Sequence, residues 1–336
     1  MTAQPEVLAG NPQAAIGATE TGGDVLSDVL RSVRLSGSLQ FCFIPAGDWQ
    51  TDDRPANIAG RQANAVPFHI VAEGSCWLKI GDSEVSLAAG DIVAFPFASG
   101  HQLGVGHGGR LIRPAGDLPP RPWRSMPVLR YGEGPPDLRL LCGYLLCDAL
   151  DFRPLKEALP PLLHVRTGGD DSVAWLRATI AQIVAEVDRP RSGSLSMLER
   201  LTEIAFIEVL RHQIGMMPKG AVGWLAALAD PALRKCLSLI HEDPRRDWSL
   251  PELAAASGLS RSTLAERFEA MLGTAPIRYL RDWRLCLAAT ALGSGSAPIA
   301  EIAYEAGYGT EAAFSRAFSR AYGIPPGSWR QKARQG

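Results

Sequence analysis

The segment LSRSTLAERFEAMLGTAPIRYL, residues 259–280, has a counterpart later in the chain, GYGTEAAFSRAFSRAYGIPPGSWR, residues 307–330. In both, a hydroxyl residue, Ser260 or Thr310, follows a glycine-containing turn, and such a residue is a preferred N-cap for a helix. Apolar residues then stand four apart, as on the buried face of a helix, and a glycine with a proline three residues later ends the pattern. The two copies therefore predict two helices of the same kind.

A shorter helical pattern precedes each copy, which predicts two helix-turn-helix units, over residues 251–272 and 299–322. A helix fits the major groove of B-DNA, and major grooves on one side of the duplex recur about every 34 Å. The apolar residues of 277–292 stand at three- and four-residue steps and predict a rigid connecting helix. We therefore expect the chain to read two adjacent half-sites on double-stranded DNA.

These two segments closely resemble the DNA-binding domain of AraC/XylS-type transcription regulators, a likeness that we assign to residues 222–336. The resemblance rests on the repeat, on both Gly-Pro endings and on the connecting helix. It implies a sequence-specific DNA-binding regulator, with RNA polymerase as a further partner if the protein is an activator. Activation and repression both stay open.

Within each recognition helix the apolar positions must face the core, so the other early positions face outward. By that geometry and by the resemblance, Arg316 is the strongest candidate for reading guanine, because a guanidinium can bond O6 and N7 together. Several other candidates are small, so DNA shape is expected to add to specificity. The candidate base contacts are Arg261, Ser262, Ala265 and Glu266 in the first unit and Glu311, Ala312, Ala313 and Arg316 in the second.

Positive charge for phosphate contacts comes from arginines on the predicted helices. These candidates are Arg267, Arg278, Arg281, Arg284, Arg320 and Arg330. From Asp230 onward the chain has 14 basic and 11 acidic residues, against 20 and 24 before it. Because the excess is small, we expect only modest affinity for random DNA.

The length of 336 residues, with 46% hydrophobic residues, fits two domains with two cores. No apolar stretch approaches a membrane span, and residues 1–23 lack a signal-peptide core and are expected to be disordered. The predicted fold class is multi-domain α+β, with a cupin-like antiparallel β-barrel, a helical linker and an all-α double helix-turn-helix. A cytoplasmic location without membrane contact is expected.

Short apolar runs divided by glycine and proline predict a small antiparallel β-barrel in residues 24–150. The candidate strands are Leu39–Ile44, Pro67–Ala72, Ser75–Ile80, Glu84–Leu87, Asp91–Phe95 and Leu138–Leu146. The run from Pro67 to Gly106 resembles a cupin in its pattern of turn and strand-edge residues. Together, the two likenesses imply an AraC-type regulator whose sensor is a cupin.

The cupin resemblance implies part of a metal-binding set, namely His69, Glu73 and His101. The expected His-x-His pair is absent, because Ile70 and Val71 follow His69. We therefore expect no cofactor, and a bound metal is the less favoured alternative. The rival function is a metal-dependent cupin enzyme fused to a helical regulatory domain, and a third is a scaffold without site-specific DNA affinity.

The cysteines offer another sensor chemistry, because Cys42 and Cys142 lie on predicted strands of the barrel. If those strands are neighbours, the thiols are candidates for a reversible disulfide or for joining His69 or His101 around a metal. The alternative is that these thiols only pack. The expected signal is thus an oxidant or a small molecule sensed in the barrel.

Residues 151–221 are predicted to form a helical linker. Apolar residues at helical spacing in 171–187 and 195–213 are separated by a Pro-Gly break and predict a helical hairpin. Such a hairpin suits either a homodimer contact or packing within the chain.

Overall fold

The computed structural model describes residues 24–32, 35–52, 65–147, 152–168, 173–218 and 220–335. The segment predicted to be disordered, residues 1–23, lies outside the described residues. Two regions with different periodicity follow one another, a curled sheet and a set of helices, as the sequence predicts.

Ten described strands form the curled sheet of the N-terminal half. They are β1 (Leu35–Pro45), β2 (Trp49–Thr51), β3 (Ala65–Ile80), β4 (Ser83–Ala88), β5 (Ile92–Ala94), β6 (Gln102–Val105), β7 (Arg110–Ile112), β8 (Val128–Tyr131), β9 (Leu138–Cys147) and β10 (Leu163–Val165). The order is β7-β2-β6-β3-β9-β1-β8, with β4 and β5 on β3, and β10 on β5. The cupin-like barrel is confirmed, although β1 pairs with β8, and β2 with β7, in parallel.

The long central strand β3 replaces two predicted strands, residues 67–72 and 75–80. Gly74 lies between them at φ +78°, where a Cβ atom would stand 2.0 Å from the carbonyl oxygen of Asp137. Only glycine fits there, and the strand bends at this point without ending. One strand therefore serves both halves of the curled sheet.

The two faces of the sheet carry different apolar clusters. Alternate residues of β9 divide between them, because side chains of a strand point to opposite faces in turn. Leu138, Leu140 and Cys142 pack inside the barrel, whereas Leu141 and Leu145 pack outside, against helices. Both faces of the central strands are thus buried.

Twelve helices are described. They are α1 (Val25–Ser32), α2 (Arg153–Ala158), α3 (Ala174–Asp188), α4 (Ser194–Gly215), α5 (Trp224–Ala227), α6 (Pro231–Glu242), α7 (Leu250–Ala256), α8 (Arg261–Leu272), α9 (Pro276–Ser294), α10 (Ile299–Glu305), α11 (Glu311–Tyr322) and α12 (Pro326–Gln335). Helices α7 and α8, and α10 and α11, form the two predicted helix-turn-helix units, and α9 connects them.

The hairpin of α3 and α4 packs within the chain. The two helices contact each other, and α4 lies on β1, where a Cβ atom at Gly37 would stand 2.8 Å from the carbonyl oxygen of Glu199. This is one of the two arrangements that the sequence left open, and the homodimer stays a prediction. The prediction of a wholly helical linker is wrong at β10, which pairs with β5.

One apolar cluster runs from the outer face of the barrel through the hairpin into the first helix-turn-helix unit, and it ends on α9 at Cys286. The second unit has its own cluster, which includes Leu285 of α9 and is built around Leu292, Phe314 and Phe318. The two units therefore share a helix but not a core.

Candidate nucleic-acid interface and sensor core

The first unit is shaped by its own caps. Ser249 and Glu252 form a capping box at the start of α7. The hydroxyl oxygen of Ser260 accepts the backbone N–H of Thr263 at 3.2 Å at the start of α8, and Gly273, at φ +65°, ends that helix. The turn between α7 and α8 contains Gly258 at φ +71°, so the chain can reverse there and start α8 at a capped residue.

The second unit repeats these features. The hydroxyl oxygen of Thr310 accepts the backbone N–H of Ala313 at 3.2 Å, and Gly323, at φ +75°, ends α11. Phe314 and Phe318 are fully buried, as are Leu264 and Phe268 in α8. The apolar face predicted for each recognition helix is confirmed.

The candidate base contacts lie on the opposite faces of α8 and α11. Ala265 and Ala313 are half-buried. The exposed base candidates are Arg261, Ser262 and Glu266 on α8, and Glu311, Ala312 and Arg316 on α11; the phosphate candidates Arg267 and Arg320 on the same helices are exposed as well. Their contact with DNA stays a prediction.

The two recognition helices carry opposite charges at matching positions. Arg261 and Glu311 both occupy the first helical position, whereas Glu266 and Arg316 both occupy the sixth. Arginine matches the acceptor pair of guanine, and glutamate accepts from the amino group of cytosine. The two helices therefore present opposite charges at the same two positions of their exposed faces.

Three arginines predicted to contact phosphates bind within the protein. Arg267 is ion-paired with Asp230, the N-cap residue of α6. Arg330 donates to the carbonyl oxygen of Ala297 at 2.6 Å, and Arg284 donates to backbone carbonyls ahead of α7. Their expected phosphate role is weakened, because these guanidinium groups already have partners. Arg278, Arg281 and Arg320 are exposed.

A buried aromatic group joins the first unit to the chain segment after the barrel. The indole N–H of Trp224 donates to the hydroxyl oxygen of Tyr279 at 2.6 Å. That hydroxyl also forms a hydrogen bond with Nε2 of His241, at 2.7 Å. Burial lowers the pKa of His241 to about 3. Phe152 packs edge-on against Trp224 and Tyr279.

The interior of the barrel holds a chain of polar side chains. The Nε2 atoms of His69 and His101 are 2.8 Å apart, and Nδ1 of His69 lies 3.1 Å from Sγ of Cys142. Nδ1 of His101 lies 3.1 Å from the carbonyl oxygen of Ser99. All three side chains are buried. The structure thus brings together three of the five predicted sensor residues.

The direction of every hydrogen bond in this chain follows from the carbonyl of Ser99. Burial holds the pKa of His69 well below its usual range and lowers that of His101 to about 4, so both rings are neutral. A carbonyl only accepts, so Nδ1 of His101 donates and its Nε2 accepts from His69. Nδ1 of His69 is then an acceptor, and the thiol of Cys142 donates its proton to it.

The remaining two sensor candidates lie elsewhere. β1 and β9 are neighbours, but Phe41 pairs with Cys142, so Cys42 points to the outer face of the sheet. A disulfide between Cys42 and Cys142 does not fit this register. The thiol of Cys42 accepts from Nε of Arg139 at 3.4 Å, and burial raises its pKa.

Glu73 is exposed and lies 3.5 Å from Nη1 of Arg139, so it does not join the two histidines. Cys142 and His101 approach opposite nitrogens of His69, and one ring does not bind a single ion through both. The described residues contain no group of three or more His, Cys, Asp or Glu side chains suited to a metal. The predicted ligand set is not assembled.

A cavity of about 510 Å³ lies outside the barrel, between α1, β1 and α4. Its wall is mostly apolar, with Leu30, Ile204 and Ile207, and two guanidinium groups, Arg200 and Arg211, lie at its edge. No helix in the described part of the chain has both the length and the apolar character that a membrane span requires.

Comparison with known proteins gives two family matches. Residues 24–215 match a cupin family, and residues 253–332 match a helix-turn-helix domain family. The curled sheet and the paired recognition helices thus define a DNA-binding protein with a cupin-type N-terminal domain.

The relatives define the family more closely. An AraC-like transcription regulator of Streptomyces antibioticus is 34% identical over 319 residues, covering 92% of this chain and 98% of the relative. The regulator AlkR of Acinetobacter baylyi is 28% identical, with 92% and 100% covered. ToxT of Vibrio cholerae O395 aligns over 89% of this chain and 97% of its own, at 13% identity and a TM-score of 0.35. The chain belongs to the AraC-like transcription regulators.

Proposed function

We propose that this regulator binds two half-sites about one helical turn apart, with α8 in one major groove and α11 in the next. The observation that carries the proposal is the pair of capped helices, each with a buried apolar face and an open polar face, joined by the 19-residue α9. At 1.5 Å per residue, α9 spans roughly 28 Å, close to the separation of about 34 Å between grooves. Footprinting of its own upstream DNA should show two protected patches.

Arg316 carries the sharpest test of base readout. Replacing Arg316 with alanine is expected to cost about 1 to 3 kcal/mol on the specific site, because a bidentate bond to guanine is lost, with little change on random DNA. The affinities of the variant and the unchanged protein for a duplex with the specific site and for a random duplex, measured at several salt concentrations, test this prediction.

Arg320 supplies the matched control, since it is exposed on the same helix one turn farther on. Arg320→Ala is expected to weaken binding to all sequences alike and to lower the salt slope by about 0.9, because a phosphate contact is lost. If Arg316→Ala behaved in the same way, Arg316 would be a phosphate contact and not a base reader.

We infer further that the barrel interior responds to an oxidant through Cys142. The thiol donates to Nδ1 of His69, so this imidazole can take up the proton as the sulfur attacks, which gives the sulfur the character of a thiolate, the reactive form of cysteine. Attack of the sulfur on hydrogen peroxide breaks the O–O bond and forms a sulfenic acid, while the thiol proton passes through His69 to the departing hydroxide and gives water. The sulfur is oxidised by two electrons as the peroxide is reduced. Oxidation replaces the S–H donor to His69 by a larger S–O–H group, which changes the packing of the barrel interior.

Cys142→Ala is expected to abolish any peroxide-dependent change in the footprint, whereas Cys42→Ala on the other face of the sheet should preserve it. Mass spectrometry of the thiols after brief peroxide treatment checks the site directly. A response that persists in Cys142→Ala would contradict the redox proposal. A small amphipathic molecule in the cavity beside α4 would then be the better candidate for the signal.

Location and further partners follow from the DNA-binding role. A regulator acts where its DNA is, so we place the protein in the cytoplasm. If it activates transcription, it also contacts RNA polymerase, which transcription in vitro tests. A homodimer would double the number of half-sites, and sedimentation of the full chain tests it.

A further inference from the structure

The two helix-turn-helix units meet directly at a polar seam, which we define as Arg245, Arg284, Glu305 and Gly307. Arg284 lies in the middle of α9 and is half-buried. Its Nε donates to the carbonyl oxygen of Pro244 at 2.6 Å, and its Nη2 donates to that of Arg246 at 2.9 Å. These carbonyls belong to the segment between α6 and α7, so Arg284 holds the first unit.

The same guanidinium touches the second unit. Gly307, in the turn between α10 and α11, has φ +78°, and a Cβ atom there would stand 2.6 Å from Nη1 of Arg284. The turn therefore packs directly against the guanidinium group, and its positive φ favours glycine at this position.

A second contact crosses the seam beside Arg284. Nη2 of Arg245, from the first unit, lies 2.9 Å from Oε1 of Glu305 at the end of α10. A small gap of about 80 Å³ lies next to this pair and is lined in part by Ala288, Ala291 and Ile302. The seam is thus polar and loosely filled, in contrast to the close-packed cores on either side.

Because the two units have separate apolar cores, the contacts of the seam are important for the angle between them. The first unit packs on α9 as far as Cys286 and Leu287, whereas the second packs on Leu285 and on the later residues Ala288, Ala289 and Leu292, so the two clusters meet along 285–287 without merging. No single apolar cluster spans both units in the described chain. The angle between the units is then fixed by the straightness of α9 and by the contacts of the seam.

We infer that Arg284 is a positioning residue that sets the angle between the two recognition helices and so the spacing of half-sites that the protein accepts. The inference rests on the proposed two-site function. A rigid link between two binding modules gives a high effective concentration at the matching spacing and little at any other, whereas a loose link tolerates several spacings. Arginine suits this role because its planar fork has several donors in fixed directions, whereas the ammonium group of lysine has one centre.

The test compares DNA duplexes and protein variants together. Three kinds of duplex are needed. The first carries both half-sites at the native spacing, the second carries both half-sites with one base pair inserted or removed between them, and the third carries one half-site while the other is randomised. Arg284→Ala is expected to bind the native two-site duplex about tenfold more weakly, the effect of losing a charged hydrogen bond. It should bind the single half-site duplexes as the unchanged protein does, and it should discriminate less between spacings. Arg284→Lys should resemble Arg284→Ala.

A charge swap provides a rescue. Arg245→Glu places two carboxylates against each other and is expected to relax the spacing preference, and the double variant Arg245→Glu with Glu305→Arg should restore it. Lys79→Ala, which removes one positive charge from an exposed position on the barrel, controls for net charge.

Two results would overturn the inference. One is a spacing preference that Arg284→Ala leaves unchanged. The other is an equal loss on single half-site and two-site duplexes, which indicates a phosphate contact or local unfolding, and thermal unfolding of the variant identifies the latter. If the unchanged protein has no spacing preference and loses no affinity when one half-site is randomised, the proposed two-site function is itself wrong. That result is distinct from a failure of the inference about Arg284.

Discussion

Replacing Phe318 with alanine is expected to unfold the second helix-turn-helix unit and to leave the rest of the protein folded. Phe318 is fully buried, and its ring contacts Phe314, Tyr322 and Trp329. Loss of such a side chain costs about 3 to 5 kcal/mol, which a small unit with a core of its own does not withstand. The footprint should lose one of its two patches and keep the other.

Tyr304→Ala is the control, because Tyr304 is an aromatic residue of the same unit that is 81% exposed. Its removal should change stability by less than about 0.5 kcal/mol. Amide hydrogen exchange measures both variants. Uniformly faster exchange throughout the Phe318→Ala protein would show that the second unit is not independent.

Acidification from pH 7 to pH 5 is expected to destabilise the protein through its buried histidines. Burial lowers the pKa of His241 to about 3 and that of His101 to about 4, and the pKa of His69 is lowered in the same direction. An unfolded histidine takes up its proton near pH 6.5, but these folded ones do not. The stabilisation is therefore complete above pH 6.5 and is lost as the pH falls toward the folded pKa values.

Between pH 7 and pH 5, the free energy of unfolding is expected to fall by about 2 kcal/mol through the titration of His241, and by about the same amount through that of His101. His241→Gln keeps a hydrogen-bonding partner for the hydroxyl of Tyr279 but does not titrate, so the unfolding free energy of this variant should vary with pH by about 2 kcal/mol less. Urea unfolding at several pH values measures this. His107→Gln removes an exposed imidazole for comparison. Carboxylates with lowered pKa values, such as Asp188 and Glu252, affect the free energy of unfolding mainly at pH values below this range.

The helices of the DNA-binding half could be predicted closely from the sequence. The connecting helix, predicted over 277–292, covers Pro276–Ser294, because proline at its start and regular apolar steps are local signals. Short strands were missed, among them β2, β7 and β10, because three residues carry too little alternation to identify a strand.

The sensor residues show why the arrangement of the candidate sensor site could not be predicted from the sequence. The pairing of β1 with β9 shifts by one residue between Leu39 and Phe41. Without that bulge Cys42 would share a face with Cys142, but the shift moves it to the opposite face. A bulge in the middle of a strand has no sequence signal as clear as a cap or a turn.

Contacts between residues far apart in the chain were equally hidden. Arg284 and Arg330 looked like phosphate contacts, yet each binds a carbonyl 33 to 40 residues away. His69, His101 and Cys142 were named as candidates, but only the folded barrel places them in one hydrogen-bonded chain.

The apolar cluster that runs from the barrel to Cys286 also bears on how such regulators can be recombined. A chimera that joins two regulators near residue 222, between the regions of different periodicity, would cut through a shared interior and mismatch its packing. A junction within α9, just after Leu287, would keep the first cluster whole and exchange the second helix-turn-helix unit, with Leu285 of the second cluster retained from the first parent. In such chimeras the DNA preference of the second helix-turn-helix unit can be changed separately. The first unit is transferred together with the sensor domain and the signal that it detects.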